Sequence, residues 1–374
     1  MGLGLRSATI VGMGAYIPED VRTNEFWTDE VVEKWNKTKG DKTTFLHLNK
    51  AVDYKEKMHS FLEEELNHLI GDPFVGMKER RVSKLTPSEM EKKACLEALE
   101  DARINSKEVE LVMGFSLPAD RVYPPNIHKV HYELGLKNAR CFEVNAICHS
   151  FLTMLDIAYQ YIRNGTIKNA LIFVSTKYSS IMDYSSSVSV AAGDGAVAVV
   201  VKQCDEKIGL QFSYQGFETE FHDAMCIRRR PPLRQPTSLF DFGDMQSSEK
   251  VFFTILNSQK GRELISRIPF WAEKTKEAFL QVQEEMCFDK IDILVTNAAF
   301  VWYSRVVAKI FDIPIEKVED NILKFSNMGA VNLPMNLYTA YKNERLKDGN
   351  NVLLFGHGGG ASFGGALLKW FKNV

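Results

Sequence analysis

The sequence predicts an α/β protein built from two related halves. Short apolar runs rich in β-branched residues alternate with stretches at helical spacing, which is typical of buried strands packed between helices. The segment KEVELVMGFS at 107–116 is similar to KIDILVTNA at 290–298, and NGTIKNALIFVS at 164–175 is similar to ERLKDGNNVLLFG at 344–356. A duplicated unit of this kind divides the chain into halves 1–205 and 206–374.

The individual elements follow from local pattern. Strands are predicted where β-branched and apolar residues run together, at 8–12, 109–115, 170–175, 196–201, 291–296 and 352–355. Helices are predicted at 87–102, 151–164, 270–286 and 304–311, the last of which ends at a proline. Two segments lie outside the repeat: a charged, helix-prone insertion at 36–74 and an irregular basic loop at 227–242.

Composition bounds the class of protein. Hydrophobic residues make up 45% and charged residues 25%, and the net charge of -2 provides no broad positive field for a nucleic acid. No apolar stretch approaches the roughly 20 residues of a membrane span, and the first residues lack a signal-peptide layout. The six cysteines are scattered, which indicates reduced thiols rather than a disulfide or zinc framework. We therefore expect a soluble, cytoplasmic protein without a metal.

One cysteine has the setting of a nucleophile. Cys148 lies in EVNAICHSF, between a strand-like run and an apolar helical segment that begins at Phe151. The positive end of a helix dipole near the sulfur favours the thiolate, which is the reactive form. Most free cysteines are buried small side chains, however, and the residues around Cys148 leave both interpretations open.

Several motifs, in order, indicate a family. They are ATIVGMGAYIPEDVRTN (8–24), GMKERRV (76–82), YPPNIHKVHYELG (123–135), EVNAICHSF (143–151), AGDGAVAVV (192–200), SNMGAVNLP (326–334) and GHGGGASFGGAL (356–367). With these motifs the chain resembles the β-ketoacyl-acyl-carrier-protein synthase III enzymes of the thiolase superfamily over nearly its whole length. The resemblance implies a duplicated, layered α-β-α-β-α fold and a nucleophilic role for Cys148.

The resemblance also implies the chemistry. An acyl group would pass from coenzyme A or an acyl carrier protein to Cys148, and a malonyl thioester would then condense with it, as in fatty acid or polyketide biosynthesis. These thioesters are substrates, and no other cofactor is expected. The expected assembly is a homodimer, although a heterodimer with a second synthase stays open, and no nucleic acid or membrane partner is expected.

The catalytic positions include one departure from the family pattern. Asn327 stands where the family has an asparagine, but Asn297, in TNAAF, occupies the position of the family's histidine. An asparagine can donate a hydrogen bond to an oxyanion, yet it cannot exchange a proton near neutral pH. Three interpretations follow: a condensing enzyme with a relocated base, an acyltransferase to a nitrogen or oxygen nucleophile, and a catalytically weak partner subunit.

Candidate replacements for the histidine are few. His357, directly before the glycine run, is the first candidate, with a backbone-bonded histidine at a strand end as the alternative. The weaker candidates are His149, His222, His128 and His131.

The remaining predicted site residues concern binding. By resemblance, Lys78 and Arg80 contact coenzyme A and Tyr123 closes the partner's acyl pocket. Arg228 and Arg229, with Arg230 and Arg234, form a basic cluster that could dock an acidic carrier protein or a nucleotide phosphate. A solvated loop is the alternative for this cluster. Gly358 and Gly359 are expected to allow a backbone conformation close to the cysteine.

Overall fold

The structure, a computed structural model, describes residues 6–38, 56–69, 71–229, 251–282 and 288–372. Its strands are β1 (Arg6–Tyr16), β2 (Asp20–Thr23), β3 (Glu79–Val82), β4 (Leu111–Leu117), β5 (Arg140–Glu143), β6 (Asn169–Lys177), β7 (Asp194–Asp205), β8 (Gly209–Phe217), β9 (Met225–Arg229), β10 (Val251–Ile255), β11 (Ile293–Thr296), β12 (Val318–Glu319), β13 (Asn351–Gly358) and β14 (Ser362–Lys369). Its helices are α1 (Asp29–Thr38), α2 (Glu56–Asn67), α3 (Pro87–Ala102), α4 (Asn126–Glu133), α5 (Ser150–Arg163), α6 (Ser258–Ser266), α7 (Ile268–Val282), α8 (Tyr303–Ile310), α9 (Ile322–Phe325) and α10 (Asn332–Lys342).

Two five-stranded sheets share one topology. The first has the order β1-β7-β6-β4-β5 and the second the order β8-β14-β13-β11-β12. In each sheet the first three strands pair antiparallel and the last three pair parallel. The second sheet therefore repeats the strand order and directions of the first, as a duplicated unit requires.

Helices cover both sheets in three layers. One buried cluster joins the facing sides of the two sheets through α5 and α10, whereas α3 and α4 pack outside the first sheet and α7 and α8 outside the second. β13 shows how the strands divide their side chains. Val352 and Leu354 face the central layer, and Leu353 and Phe355 face the outer one, because successive side chains of a strand point to opposite faces.

The predicted fold class is confirmed, and most element predictions agree with it. The loop predicted at 227–242 is wrong at its start, because residues 227–229 belong to β9, and 230–242 lie outside the described residues. Helix α3 coincides with the predicted 87–102, because Thr86 and Glu89 form a capping box and Pro87 opens the first turn. The insertion at 36–74 includes 39–55 and residue 70, which lie outside the described residues. In its described part α2 places Leu62 in the outer cluster of the second sheet. In the described part of the chain, no helix combines the length and apolar character needed to cross a membrane.

Candidate active site

Cys148 lies on a tight turn at the start of α5. A short 3-10 helix, Ile147–His149, precedes Ser150, whose hydroxyl accepts from the Ala146 N–H at 2.9 Å and donates to the Ile147 carbonyl at 2.6 Å. Ile147 has a φ of 56°, which is unfavourable for a β-branched residue and costs about 1–3 kcal/mol. The surrounding bonds hold this strained turn, which presents the sulfur at a helix N-terminus.

The glycines at the end of β13 allow the backbone to approach the cysteine. A Cβ atom on Gly358 would lie 2.9 Å from the Ala146 carbonyl oxygen and 3.2 Å from the Cys148 nitrogen. Hydrogen bonding from the backbone N–H groups of Gly359 and of Cys148 itself acts to lower the pKa of the Cys148 thiol. Backbone donors directed at a sulfur favour its thiolate form.

The thiol is difficult to ionise in the unliganded chain. Burial raises the pKa of Cys148 to about 11, although the Tyr178 hydroxyl and the two backbone N–H groups act in the opposite direction. At neutral pH roughly one molecule in 10,000 would carry the thiolate. The residue remains partly exposed, so a substrate can reach it.

Asn327 is oriented by its own turn. Its Oδ1 accepts from the Gly329 N–H at 2.7 Å and from Asn332 Nδ2 at 3.3 Å. Because the oxygen is engaged, the amide nitrogen is the free end, and it has no hydrogen-bond partner among the described residues. Asn327 can therefore donate to a substrate oxygen.

The Asn297 side chain lies on the face of the second sheet that borders the central layer, but its amide nitrogen already donates to a backbone carbonyl. Its Cγ would lie 3.5 Å from a Cβ on Gly356, in the central layer, while its Nδ2 donates to the His357 carbonyl oxygen at 2.5 Å. The buried Oδ1 has no partner within the described residues. Asn297 thus presents an unpaired acceptor.

Asn332 connects the two asparagines. Its Nδ2 donates to the carbonyl oxygens of Asn297 at 3.0 Å and Ala298 at 2.8 Å, and its Oδ1 accepts from the Met328 N–H at 2.7 Å. This positioning residue was not predicted, although its place inside SNMGAVNLP, five residues after Asn327, was a usable signal.

Comparison with known proteins agrees with this geometry. The family model for 3-oxoacyl-[acyl-carrier-protein (ACP)] synthase III matches residues 142–216, and the model of its C-terminal part matches residues 283–370. Beta-ketoacyl-[acyl-carrier-protein] synthase III of Clostridium acetobutylicum is 27% identical, over 98% of this chain and 100% of that protein. Over nearly its whole length the chain is similar to the synthase III enzymes of the thiolase superfamily.

Solved structures extend the comparison to three dimensions. The 3-oxoacyl-[acyl-carrier-protein] synthase III of Aquifex aeolicus superposes with a TM-score of 0.73 at 26% identity, over 97% of this chain and 100% of that one. The FabH structure from Pseudomonas aeruginosa, at 21% identity, has a TM-score of 0.75 over 98% and 99% of the two chains. This synthase III-like chain therefore has the thiolase fold, and the comparisons place it among condensing enzymes.

His357 does not take the place of the family's histidine. Gly356 and Gly358 face the central layer, so the His357 ring faces the outer one, where it packs against Trp271 and shares a 3.0 Å hydrogen bond with the Tyr303 hydroxyl. Burial lowers the pKa of His357 to about 3. The prediction of a base at His357 is corrected, because the sheet separates its ring from the sulfur.

The other histidines are also unsuited to the role. His149 is buried, neither ring nitrogen has a partner in the described chain, and burial lowers its pKa to about 4. His131 Nε2 lies 3.1 Å from the Ala139 carbonyl oxygen, and His222 and His128 are exposed. None of them is among the groups found to hydrogen-bond the sulfur.

Lys78 and Arg80 have opposite environments. Lys78 is exposed, whereas Arg80 is 0% exposed and donates to the Val190 carbonyl at 2.5 Å and to Asn24. Its guanidinium also lies over the Trp27 ring, at 4.8 Å from the centroid. The prediction that Arg80 contacts coenzyme A is corrected, because no part of the side chain reaches solvent.

The other predicted binding residues belong to different segments of the chain. Tyr123 is 86% exposed in the loop before α4. Arg228 and Arg229 end β9, and Arg230 and Arg234 lie outside the described residues. Among the residues that the structure describes, no group of three or more His, Cys, Asp or Glu could hold a metal ion.

Proposed function

We propose that this condensing enzyme accepts an acyl group on Cys148 from a thioester of coenzyme A or an acyl carrier protein. The observation that carries the proposal is the setting of one sulfur: Cys148 lies partly exposed on a strained turn at the N-terminus of α5, where backbone N–H groups lower the pKa of its thiol. The Cys148 thiolate attacks the thioester carbon, the oxyanion is held by the backbone donors, and the departing thiol takes up the proton.

In the second half-reaction we propose decarboxylative condensation with a malonyl thioester. Loss of carbon dioxide leaves an enolate, and we propose that the Asn327 amide, whose Oδ1 is engaged within its own turn, donates to the enolate oxygen. Asn327→Ala should lower the rate of condensation by about 10²–10³ and leave acylation of Cys148 largely intact. Release of labelled carbon dioxide, measured beside the acyl adduct, separates the two steps. An equal loss in both steps would contradict this assignment.

The alternative is transfer of the acyl group to a nitrogen or oxygen nucleophile without decarboxylation. It is favoured by one observation, the engagement of the Asn297 amide with the His357 carbonyl, which leaves a side-chain acceptor where the resemblance places a histidine donor. A catalytically weak partner subunit is the third interpretation.

The decisive experiment is intact-protein mass spectrometry after incubation with a panel of acyl-coenzyme A thioesters, followed by malonyl carrier protein. We expect a mass increase that Cys148→Ala abolishes, and discharge of the adduct with release of carbon dioxide. A stable adduct that persists with malonyl carrier protein would favour the acyltransferase. No adduct from any thioester would overturn the proposed enzyme and favour the partner subunit.

Coenzyme A and carrier-protein binding are assigned to different residues. We propose that exposed Lys78 contacts the nucleotide end of coenzyme A, since a flexible ammonium suits a phosphate. Arg228 and Arg229, at the end of β9, would attract the acidic carrier protein through charge.

Lys78 and Arg80 provide a matched pair of variants. Arg80→Met should lower the free energy of unfolding by about 3 kcal/mol, because it leaves the buried Val190 carbonyl and the partly buried Asn24 side-chain oxygen without their donor. Lys78→Met should leave the unfolding free energy unchanged and raise KM for acyl-coenzyme A. Denaturant unfolding and thioester kinetics of both variants check the assignment. Equal stability of the two variants would contradict a structural role for Arg80.

We further propose a homodimer formed through the surface around the loop before α4. Val122 and Tyr123 are 87% and 86% exposed there, which is unusual for adjacent large apolar side chains. An aromatic side chain on such a loop suits insertion into a second copy. The native mass, measured for the intact chain and for Tyr123→Asp, tests this assembly.

A further inference from the structure

One ion pair of the second half of the chain lies next to the turn that contacts the nucleophile. Glu218, directly after β8, accepts from Arg267 through both carboxylate oxygens, from Nε at 2.9 Å and from Nη2 at 2.5 Å. Arg267 lies between α6 and α7, and its guanidinium also covers the Phe270 ring at 4.1 Å from the centroid. The Arg267 and Glu218 side chains are only 22% and 18% exposed. Water and salt therefore screen this bidentate pair only weakly.

The backbone of Glu218 is bonded to that turn. Its N–H donates to the Ala361 carbonyl oxygen at 3.0 Å, and the Ala361 N–H donates to the Glu218 carbonyl oxygen at 2.8 Å. Ala361 belongs to the segment 358–362, here called the glycine turn, which connects β13 to β14. Through Glu218, Arg267 therefore links the glycine turn to the corner between α6 and α7.

The glycine turn contacts the residues that present the sulfur, 146–149, here called the cysteine turn. Ser362 Oγ donates to the Ala146 carbonyl oxygen at 3.2 Å. A Cβ atom on Gly358 would lie 3.2 Å from the Cys148 nitrogen. Both ends of the glycine turn thus lie against the cysteine turn, so a shift of one turn must move the other.

The composition of the glycine turn makes it dependent on its neighbours. Three of its five residues are glycines, which have no side chain to pack and have the widest backbone freedom. The conformation of such a segment depends on bonds from other segments. The pair of hydrogen bonds between Ala361 and Glu218 supplies two of them, at the end of the turn nearest to β14.

We propose that Glu218 and Arg267 are positioning residues for Cys148, which act by holding the glycine turn against the cysteine turn. They act through the backbone of Ala361 and not on the substrate. This role rests on the proposed function, acyl transfer to Cys148. A nucleophile that is displaced by about 1 Å can lose about two orders of magnitude in rate, so a link that fixes its supporting turn affects the reaction from a distance.

Glu218→Gln is the first variant, because it keeps the shape of the side chain and removes its charge and one acceptor oxygen. We expect the maximal rate of Cys148 acylation to fall about 10-fold to 100-fold, with little change in the acyl-coenzyme A concentration that gives half of that rate. Intact-protein mass spectrometry at a series of thioester concentrations measures both quantities.

Arg267 variants test whether the two residues act as one unit. Arg267→Met should give a similar loss, and the double variant with Glu218→Gln should lose no more than either single variant. Arg267→Lys keeps the charge without the bidentate geometry, so it should lose less than Arg267→Met. Losses that multiply in the double variant would contradict a shared role.

Hydrogen–deuterium exchange of the intact chain tests the link without any thioester. In Glu218→Gln and Arg267→Met we expect amide exchange to become about 10-fold faster in peptides that cover the glycine turn and the cysteine turn. Glu319→Gln is the matched control, because Glu319 accepts from Arg345 Nη1 at 2.6 Å on β12, at the opposite edge of the same sheet from β8. This control should leave both the exchange of the two turns and the acylation rate at their wild-type values.

The two measurements separate failure of this role from failure of the proposed function. Wild-type exchange at the cysteine turn in folded Glu218→Gln, or an acylation rate no lower than that of Glu319→Gln, would overturn the positioning role. Faster exchange at both turns in a chain that no thioester acylates would support the link between the ion pair and the cysteine turn and refute the proposed acyl transfer.

Discussion

Gly358→Ala should reduce the rate of Cys148 acylation by about 100-fold or more while leaving most of the chain folded. The added methyl group would lie 2.9 Å from the Ala146 carbonyl oxygen and 3.0 Å from Ser362 Oγ, which are both close to the nucleophile turn. Relief of that overlap must displace either β13 or the turn. A displacement of about 1 Å at a nucleophile can cost about two orders of magnitude in rate.

The measurement is the time course of the acyl adduct by intact-protein mass spectrometry, with denaturant unfolding alongside. We expect a loss of stability of about 1–3 kcal/mol, the usual cost of overpacking. Gly261→Ala, in α6, is the control, because its Cβ would meet only Ile255 Cγ2, at 3.3 Å. Acylation of Gly358→Ala at the wild-type rate would show that the turn tolerates the methyl group and that this close approach is not needed.

His357→Phe should make the protein less sensitive to acid. Burial lowers the pKa of His357 to about 3, whereas an unfolded histidine titrates near 6.5, so below about pH 6.5 the unfolded state binds a proton that the folded state does not. The stability that depends on neutral His357 is present above pH 6.5 and is lost as the pH falls. The loss is about 1.4 kcal/mol per pH unit, or about 3 kcal/mol by pH 4.

Other buried groups titrate in the same pH range, so the effect of His357 is measured as the difference in unfolding free energy between His357→Phe and the wild type. Burial lowers the pKa of His149 to about 4, which adds acid sensitivity, and raises that of Glu91 to about 7, which has the opposite effect. We expect the unfolding free energy of His357→Phe, relative to wild type, to rise by about 3 kcal/mol between pH 7 and pH 4. Exposed His128→Gln should leave the slope unchanged. A constant difference across this range would contradict the burial of neutral His357.

Much of the fold follows from the sequence because its causes are local. The strand and helix pattern depends on apolar spacing, and the start of α3 depends on Thr86, Pro87 and Glu89 within four residues. The position of Cys148 before an apolar helix was also visible, together with the glycines that a close backbone approach requires. These features depend on neighbours within a few residues, so one sequence was enough to predict them.

Other features of the site depend on groups that the fold brings together from distant positions. Successive side chains of a strand point to opposite faces, so His357 faces away from the cysteine because Gly358 faces it. The sequence does not show which face of β13 borders the central layer. Arg80 is buried by Trp27 and Val190, although an arginine is normally exposed.

The sequence by itself thus determined the layered α/β class, the order of the elements and the nucleophile candidate, since apolar periodicity and turn residues specify local structure. Only the tertiary structure decided which polar groups surround the sulfur. The central layer, in which α5 and α10 pack between the two sheets, brings the backbone of Cys148 against Gly358 and the Asn297 side chain against Gly356. Side-chain orientation there is set by packing between distant segments, and local sequence does not encode it.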